Sequence, residues 1–355
     1  MPTRNCIAIV GAQYGSEGKG VIVNKIANEY GIHVRVGGPN AGHSFVHKNR
    51  VWKMQVIPCG WTNPDAILIL GRGMLVDLDQ LIKEIKMIQE VDPDITLRLT
   101  VDARAGVLSR EHHKMEGGVE GEMHKRIGST GEGVGAARVA RVNRDPNNFQ
   151  LYHQAIKGHP EEEMLRSIMQ LNTVAFLYYT DANILLEGTQ GSGLSLIHGP
   201  WPYATSADTN AAQMCADVGM SPRDLNQIML VARTYPIRVA GNSGPLKDEL
   251  TWEQMSKIVG RKVEEKTTVT LKTRRVGKWD PELIWNAIHL NRPTSMALTF
   301  LDYTSPRDEG KEEWGSISPE GYFAVNRVEM VHKVPIRLVG TGGPRWAVIR
   351  RQGEF

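Results

Sequence analysis

Cys6-Ile7-Ala8-Ile9-Val10 runs directly into Gly11-Ala12-Gln13-Tyr14-Gly15-Ser16-Glu17-Gly18-Lys19-Gly20. An apolar run of β type thus enters a glycine-dense loop ending in lysine, and Val21-Ile22-Val23 with Ile26 and Ala27 then begins a helical pattern. Strand, loop and helix in that order suit a phosphate: small residues let backbone N–H groups approach an anion, and lysine adds charge beside the helix N-terminus. The loop is not a standard Walker A sequence. Its first glycine lies too far upstream of Lys19, and Gly20 stands where a Ser or Thr would bind magnesium. A glycine-rich structural turn is the competing reading of these residues alone.

The rest of the chain limits the choices. Its 355 residues can bury a large core, and 23% charged with 41% hydrophobic residues is an ordinary globular balance. A formal charge of +3 suits small anions but supplies no concentrated basic face for polymeric nucleic acid, and nothing reads as membrane-bound. Cys6, Cys59 and Cys215 are widely spaced and form no C-x-x-C pair, so a reducing, cytoplasmic setting is expected. The N-terminal residues lead into the first strand with no signal-peptide pattern.

Strand patterns at 31–36, 51–57, 66–70, 182–186, 229–232, 295–301 and 335–339 alternate with helical ones such as 77–89 and 161–177. That alternation predicts an α/β fold with a large, mostly parallel central sheet and crossover helices. Ligands then gather at the turns after the strands. We find no repeat and no linker, which predicts one catalytic domain over 1–355 with functional loops near 11–20, 37–44, 109–144 and 266–278. The stretch from Ser109 to Arg144 is polar, glycine-rich and weakly periodic, and reads as a functional loop.

Several constellations have two readings each. His43, beside Asn40 in the glycine-dense Gly37–Ser44 turn, is either a hydrogen-bonded histidine or a proton donor facing the same cleft as the first loop. Ser129 and Thr130, in a third glycine-rich loop followed by Arg138, Arg141 and Arg144, form a phosphate pocket or a solvated basic face. His112, His113 and His124 read as surface histidines rather than a zinc site, since no cysteine accompanies them. Lys272, Thr273, Arg274 and Arg275 could clamp a carboxylate, or lie on a solvated face.

Taken together, G-A-Q-Y-G-S-E-G-K-G, G-G-P-N-A-G-H-S, I-P-C-G, G-S-T-G-E-G-V-G, E-G-T-Q-G, Y-A-T-S, the arginine-threonine loop, T-F-L-D and G-T-G-G-P follow the motif order of adenylosuccinate synthetases. The resemblance runs from Cys6 to about Pro344 and implies their P-loop-related fold. It implies a ligase that phosphorylates a purine O6 with a nucleoside triphosphate, then lets the aspartate amine displace phosphate at C6. By motif, Lys19 would hold the transferring phosphoryl group, His43 would act as acid toward O6, and Gln190 would contact the base. Asn40, Ser129, Thr130, Thr205 and Arg238 would hold the nucleoside monophosphate. Arg141 or Arg144 of a partner subunit would complete that pocket, implying a homodimer. The triphosphate would lie on Gly15, Glu17, Gly18, Lys19, Gly20, Gly42, His43, Ser44, Phe300, Asp302, Gly340, Thr341 and Gly342. Aspartate would meet Thr270, Lys272 and Arg274, and Mg2+ would sit near Ser16 and Gly42.

Departures from the family pattern refine this. At Ser16 the family has an aspartate that takes the purine N1 proton and touches magnesium; a serine is shorter and has no carboxylate. Catalytic residues therefore include Ser16, Lys19, His43 and Gln190, with the substrate altered to a purine bearing a 2-amino group. In this the chain resembles the bacteriophage 2-aminoadenylosuccinate synthases, which join L-aspartate to dGMP for diaminopurine DNA. Substrate phosphate, a water on Ser16, or Glu17 would then take the N1 proton. Phe300 stands for the lysine of the guanine-reading T-K-x-D element while Asp302 remains, so ATP or dATP is the expected donor and GTP the alternative. Val269 and Lys272 replace the usual threonine and arginine of the aspartate loop. An ordinary synthetase acting on IMP with GTP, and an inactive nucleotide-binding homologue, are the rival readings.

Overall fold

The computed structural model describes residues 4–266, 272–344 and 346–351. Among these, ten strands form one sheet in the order Met169–Leu171, Leu99–Asp102, Ile67–Leu70, Ile32–Arg35, Ile184–Glu187, Cys6–Gly11, Gln227–Arg233, Ser295–Thr299, Ile336–Gly342, Ala347–Arg350. Every pairing in it is parallel except the last. The expected α/β architecture is therefore present, with Cys6–Gly11 at its centre.

Alternation along that strand divides the core. Ile7 and Ile9 pack with Ile22, Val23 and Ile26 of the helix Lys19–Ile26 and with Leu81, Ile85 and Ile88 of the helix Leu78–Gln89. Ala8 and Val10 point to the other face, against Met214 and Val218 of Ala211–Val218, Ile284 and Ile288 of Pro281–Asn291, and Val325 of Pro319–His332. Both sides are covered, so the central strand reads as a continuous apolar run. No helix among the described residues is long and apolar enough to cross a membrane.

Three sequence expectations change. The helical spacing over 161–177 resolves into the helices Glu162–Ser167 and Thr173–Tyr179 with the sheet strand Met169–Leu171 between them, the pieces being too short for spacing alone to separate. The apolar segment near 51–57 does not join the main sheet: Arg50–Met54 pairs antiparallel with His43–His47 as a hairpin. Its buried Phe45 and Trp52 pack with Trp61, an apolar cluster that competes with any place in the sheet. His43 consequently begins a strand instead of ending a turn. The supposed loop 109–144 is largely helical, as Arg110–Glu116, Glu122–Ile127 and Val134–Asn143. Left-handed glycines at Gly117, Gly128 and Gly133 cut the segment into pieces too short to show helical periodicity.

Candidate active site

The carboxyl ends of the parallel strands lie along one edge, and the glycine loop, the 37–42 turn and the 188–193 turn leave from neighbouring strands there. One cleft at that edge is lined by Gly15, Ser16, Asn40, Gly42, Ser129, Thr130, Gln190, Thr205, Arg238, Lys272 and Arg274. Most of the expected monophosphate set therefore converges from segments far apart in sequence. Thr270 and Val269 lie outside the described residues.

Behind the cleft floor is a closed ionic cluster. Lys19 Nζ donates to Glu17 Oε2 at 2.8 Å and to the Gln190 carbonyl at 2.5 Å, while Glu17 Oε1 accepts from Gln13 N at 3.0 Å and Gly15 N at 2.8 Å. Both side chains of the ion pair are fully buried. Glu17 thus fills the donor nest that the sequence reading assigned to phosphate, and its engagement leaves it poorly placed as the N1 base. Gly11 makes this packing possible, since a Cβ there would lie 2.5 Å from the Gln190 oxygen and 2.8 Å from Lys19 Nζ.

The hairpin brings His43 to the same floor. A Cβ on Gly20 would lie 3.0 Å from His43 Cβ, so the residue that breaks the Walker pattern is the one that lets the hairpin seat. His43 Nδ1 contacts Glu187 Oε1 at 2.6 Å, and Arg35 reaches the same oxygen at 2.7 Å. Glu187 Oε2 accepts from Cys59 N at 2.7 Å. Burial raises the Glu187 carboxyl, but Arg35 and His43 outweigh it and hold it at about 2. His43 is pushed down to about 4 by burial, with Arg35 adding to the effect and Glu187 opposing it. A histidine expected to act as an acid is therefore neutral near pH 7, and would have to gain a proton to do so.

At the other end, the Ser16 hydroxyl accepts from Arg274, and the Ser16 carbonyl accepts from Arg233 at 3.2 Å. Arg233 is ion-paired to Glu265 and lies 3.7 Å over the Phe300 ring. Both oxygens of Ser16 thus face guanidinium groups, and the nearby carboxylate of Glu17 is turned inward.

Arg238 is buried with its guanidinium 4.2 Å over the Tyr14 ring and donates to the Tyr203 carbonyl at 3.1 Å. Lys272 Nζ lies 3.1 Å from His124 Nε2, whose Nδ1 meets the Ser129 carbonyl at 2.6 Å. His124 thus lines the cleft, and His112 is buried inside its own capping box, so neither is the surface histidine expected. Among the described residues, the one trio of potential metal donors is His43, Cys59 and Glu187, already committed to Arg35.

Other expected residues lie off the cleft. Arg144 is the exposed cap of the helix Val134–Asn143, and Arg141 reaches the Arg72 carbonyl at 3.5 Å. Arg138 of that helix instead lines an adjoining cavity with Asn40, Thr205 and Gln190. Phe300 and Asp302 follow the strand Ser295–Thr299, and Gly340, Thr341 and Gly342 close the neighbouring strand Ile336–Gly342. There Asp302 pairs with Arg261 at 2.8 Å, and the Thr341 hydroxyl is spent on the Lys311 carbonyl at 2.7 Å. Gly18 and Ser44 border Phe300 and Gly20 respectively. The sequence reading missed Glu187 and Arg35; the available signal was a charged residue closing an otherwise apolar strand.

Known proteins with this arrangement are numerous. The sequence profile of the adenylosuccinate synthetase family matches residues 8–179 and 161–311. The adenylosuccinate synthetase of Methanocaldococcus jannaschii is 36% identical over 353 residues, covering 99% of this chain and 98% of that protein. That of Archaeoglobus fulgidus is 33% identical, covering 94% of each. Among solved structures, the cyanophage S-2L succinoaminodeoxyadenylate synthetase (PurZ), bound to dGMP and dATP as an energy donor, superposes with a TM-score of 0.81. It is 28% identical and covers 99% of this chain and 96% of its own. A fully ligated adenylosuccinate synthetase from Plasmodium falciparum gives a TM-score of 0.82 at 20% identity, covering 98% of this chain and 100% of its own, and so shares the fold.

Proposed function

This chain belongs to the adenylosuccinate synthetase family, whose members are ligases that form a C–N bond, and we propose that it joins L-aspartate to C6 of dGMP. The observation that carries the reading is Ser16. Its short side chain faces the cleft beside Gln190 and Arg274, at the position where the family resemblance places an aspartate. A hydroxyl leaves volume and an acceptor for a 2-amino group, and removes a carboxylate that would compete for Arg274. The phage structure holding dGMP and dATP supports the same reading.

In this scheme Lys19 exchanges its contact with Glu17 or Gln190 for the γ-phosphoryl group as it passes from the donor to O6, the purine N1 proton leaving to substrate phosphate or a water on Ser16. His43 Nε2, once protonated, hydrogen-bonds O6 and returns its proton to the O6-linked phosphate as that group leaves. Gln190 orients the base, and Asn40, Ser129, Thr130 and Thr205 hold the 5′-phosphate, with Arg141 or Arg144 of a second subunit. Aspartate enters at Lys272 and Arg274; its amine attacks C6, the O6 phosphate leaves, and the amine loses a proton. The donor is ATP or dATP, and Mg2+, which Ser16 and the Gly42 backbone would help to hold, would offset its phosphate charge. The product, N6-succino-2-amino-2′-deoxyadenylate, would be made in the cytoplasm, of a host cell if the gene is viral.

A second reading keeps IMP and GTP, favoured by the 33–36% identity to archaeal adenylosuccinate synthetases. The two separate in one assay. Protein, aspartate and magnesium are mixed with dGMP, GMP or IMP and with ATP, dATP or GTP, and succino-nucleotides are identified by mass. Product from dGMP with an adenine donor is expected; product from IMP and none from dGMP would reject the proposal. Nucleotide binding without any product would indicate an inactive homologue.

A further inference from the structure

We infer that Glu187 is a positioning residue for the phosphoryl-transfer end, acting through His43 and anchored by Arg35; the inference rests on the reading of His43 given above. Glu187 closes the strand Ile184–Glu187 and Arg35 the neighbouring strand Ile32–Arg35, where the two are register partners. Register partners on adjacent strands project to the same face, so carboxylate and guanidinium meet at 2.7 Å with neither side chain exposed. The same Oε1 lies 2.6 Å from His43 Nδ1.

An ionised carboxylate only accepts, so the proton in that contact belongs to Nδ1. Nε2 is then the atom kept for a ligand, and among the described residues it is buried without a partner. A buried unpaired ring nitrogen is costly unless something meets it: Nε2 takes a proton, and as N–H it can then donate to a substrate oxygen. Three residues on, the Gln190 carbonyl takes Lys19 Nζ at 2.5 Å from a left-handed backbone with φ of 61°. The four-residue segment 187–190 therefore fixes both the proton donor, through a side chain, and the phosphoryl-binding lysine, through a carbonyl. A carboxylate serving only as a core ion pair would not need to orient a ring whose far nitrogen is left open.

Wild type, Glu187→Gln, His43→Ala and the double variant are compared using whichever monophosphate the wild type converts. Glu187→Gln keeps the shape and an acceptor for Nδ1–H while removing the charge. Its kcat is expected to fall at least about tenfold, with KM for the monophosphate changed less than about threefold. The double variant should be no slower than His43→Ala, because both changes break one unit. A wild-type kcat in Glu187→Gln, or losses that multiply in the double variant, overturns the inference. Circular dichroism reports folding; if Glu187→Gln does not fold, Glu187→Asp replaces it under the same criterion.

A second measurement needs no turnover. Nitrogen-15 NMR of histidine-labelled wild type near pH 7 should show His43 protonated at Nδ1 and bare at Nε2, assigned by its loss in His43→Ala. The opposite tautomer overturns the inference. A wild type that forms no succino-nucleotide would remove the proposed function, while the tautomer still decides the role of Glu187.

Discussion

At one end of the site Glu17, Lys19, Arg35, His43 and Glu187 are at most 4% exposed, and each is held by a polar or charged partner. At the other end Ser16, His124, Lys272 and Arg274 are half-buried or exposed. They are joined by contacts spanning 258 and 148 residues of sequence. Breaking one member of the buried set strands a charge without solvent, which costs several kcal/mol, whereas an exposed pair is worth about 1 kcal/mol or less. Substitution is therefore cheap at the end proposed for the base and aspartate and expensive at the end proposed for phosphoryl transfer. The difference explains how Ser16 and Lys272 could depart from the family pattern while Lys19 and His43 persist.

Acid gives the largest expected effect, and it falls on the buried end. His33 and His43 are both pushed from 6.5 down to about 4, chiefly by burial. Below pH 6.5 the unfolded chain binds their protons first, so stability is lost as pH falls from 6.5 through 4, on the order of 3 kcal/mol per histidine. Glu187, held at about 2 against an ordinary 4.5, contributes stability present above pH 4.5 and lost as pH falls toward 2. Asp302, raised to about 6 by burial, works in the opposite direction between 3.8 and 6 and offsets part of the loss. Calorimetry from pH 7 to pH 4.5 should show a falling unfolding midpoint. A flat midpoint would mean that the buried histidines are not neutral and the contrast between the two ends is wrong.

Legibility in the sequence followed the same division, with one inversion. The central strand, the glycine loop and the turns carrying Asn40, Ser129, Gln190 and Thr205 were readable because each is a contiguous motif; the turns carrying Asn40 and Gln190 follow strands, while Ser129 joins two helices. Glu187 was inside a quoted motif yet unassigned, since its role depends on Arg35 and His43 reaching it across two other elements. Arg138 lines the cavity while Arg141 and Arg144 of the same segment do not, and that choice is set by how the helix Val134–Asn143 docks. The helices within 109–144 were hidden by their shortness, because pieces of 6, 7 and 10 residues give little readable period.

Base choice should respond next, at the open end. Ser16→Asp places a carboxylate against Arg274, crowds the space beside Gln190 and restores the charge expected with IMP. The ratio of kcat/KM for dGMP to that for IMP should fall at least about tenfold, with the unfolding midpoint little changed. An unaltered ratio would remove Ser16 from base selection and leave the archaeal-type reading in its place.

The smallest effect is expected at Lys272. Its ammonium is a point charge 3.1 Å from His124 Nε2, while an arginine would present a planar fork able to take both carboxylate oxygens. Lys272 is exposed, so much of any gain is screened by solvent and by the entropy of holding a long side chain. Lys272→Arg should therefore lower KM for aspartate only about threefold, with kcat and the monophosphate KM unchanged. Added salt should raise KM for aspartate in both proteins, since screening acts on the exposed partner first. An arginine variant whose aspartate KM stays level or rises would show that the carboxylate is held from the buried side, by Arg274, and that the exposed residue serves only to shape the mouth of the cleft.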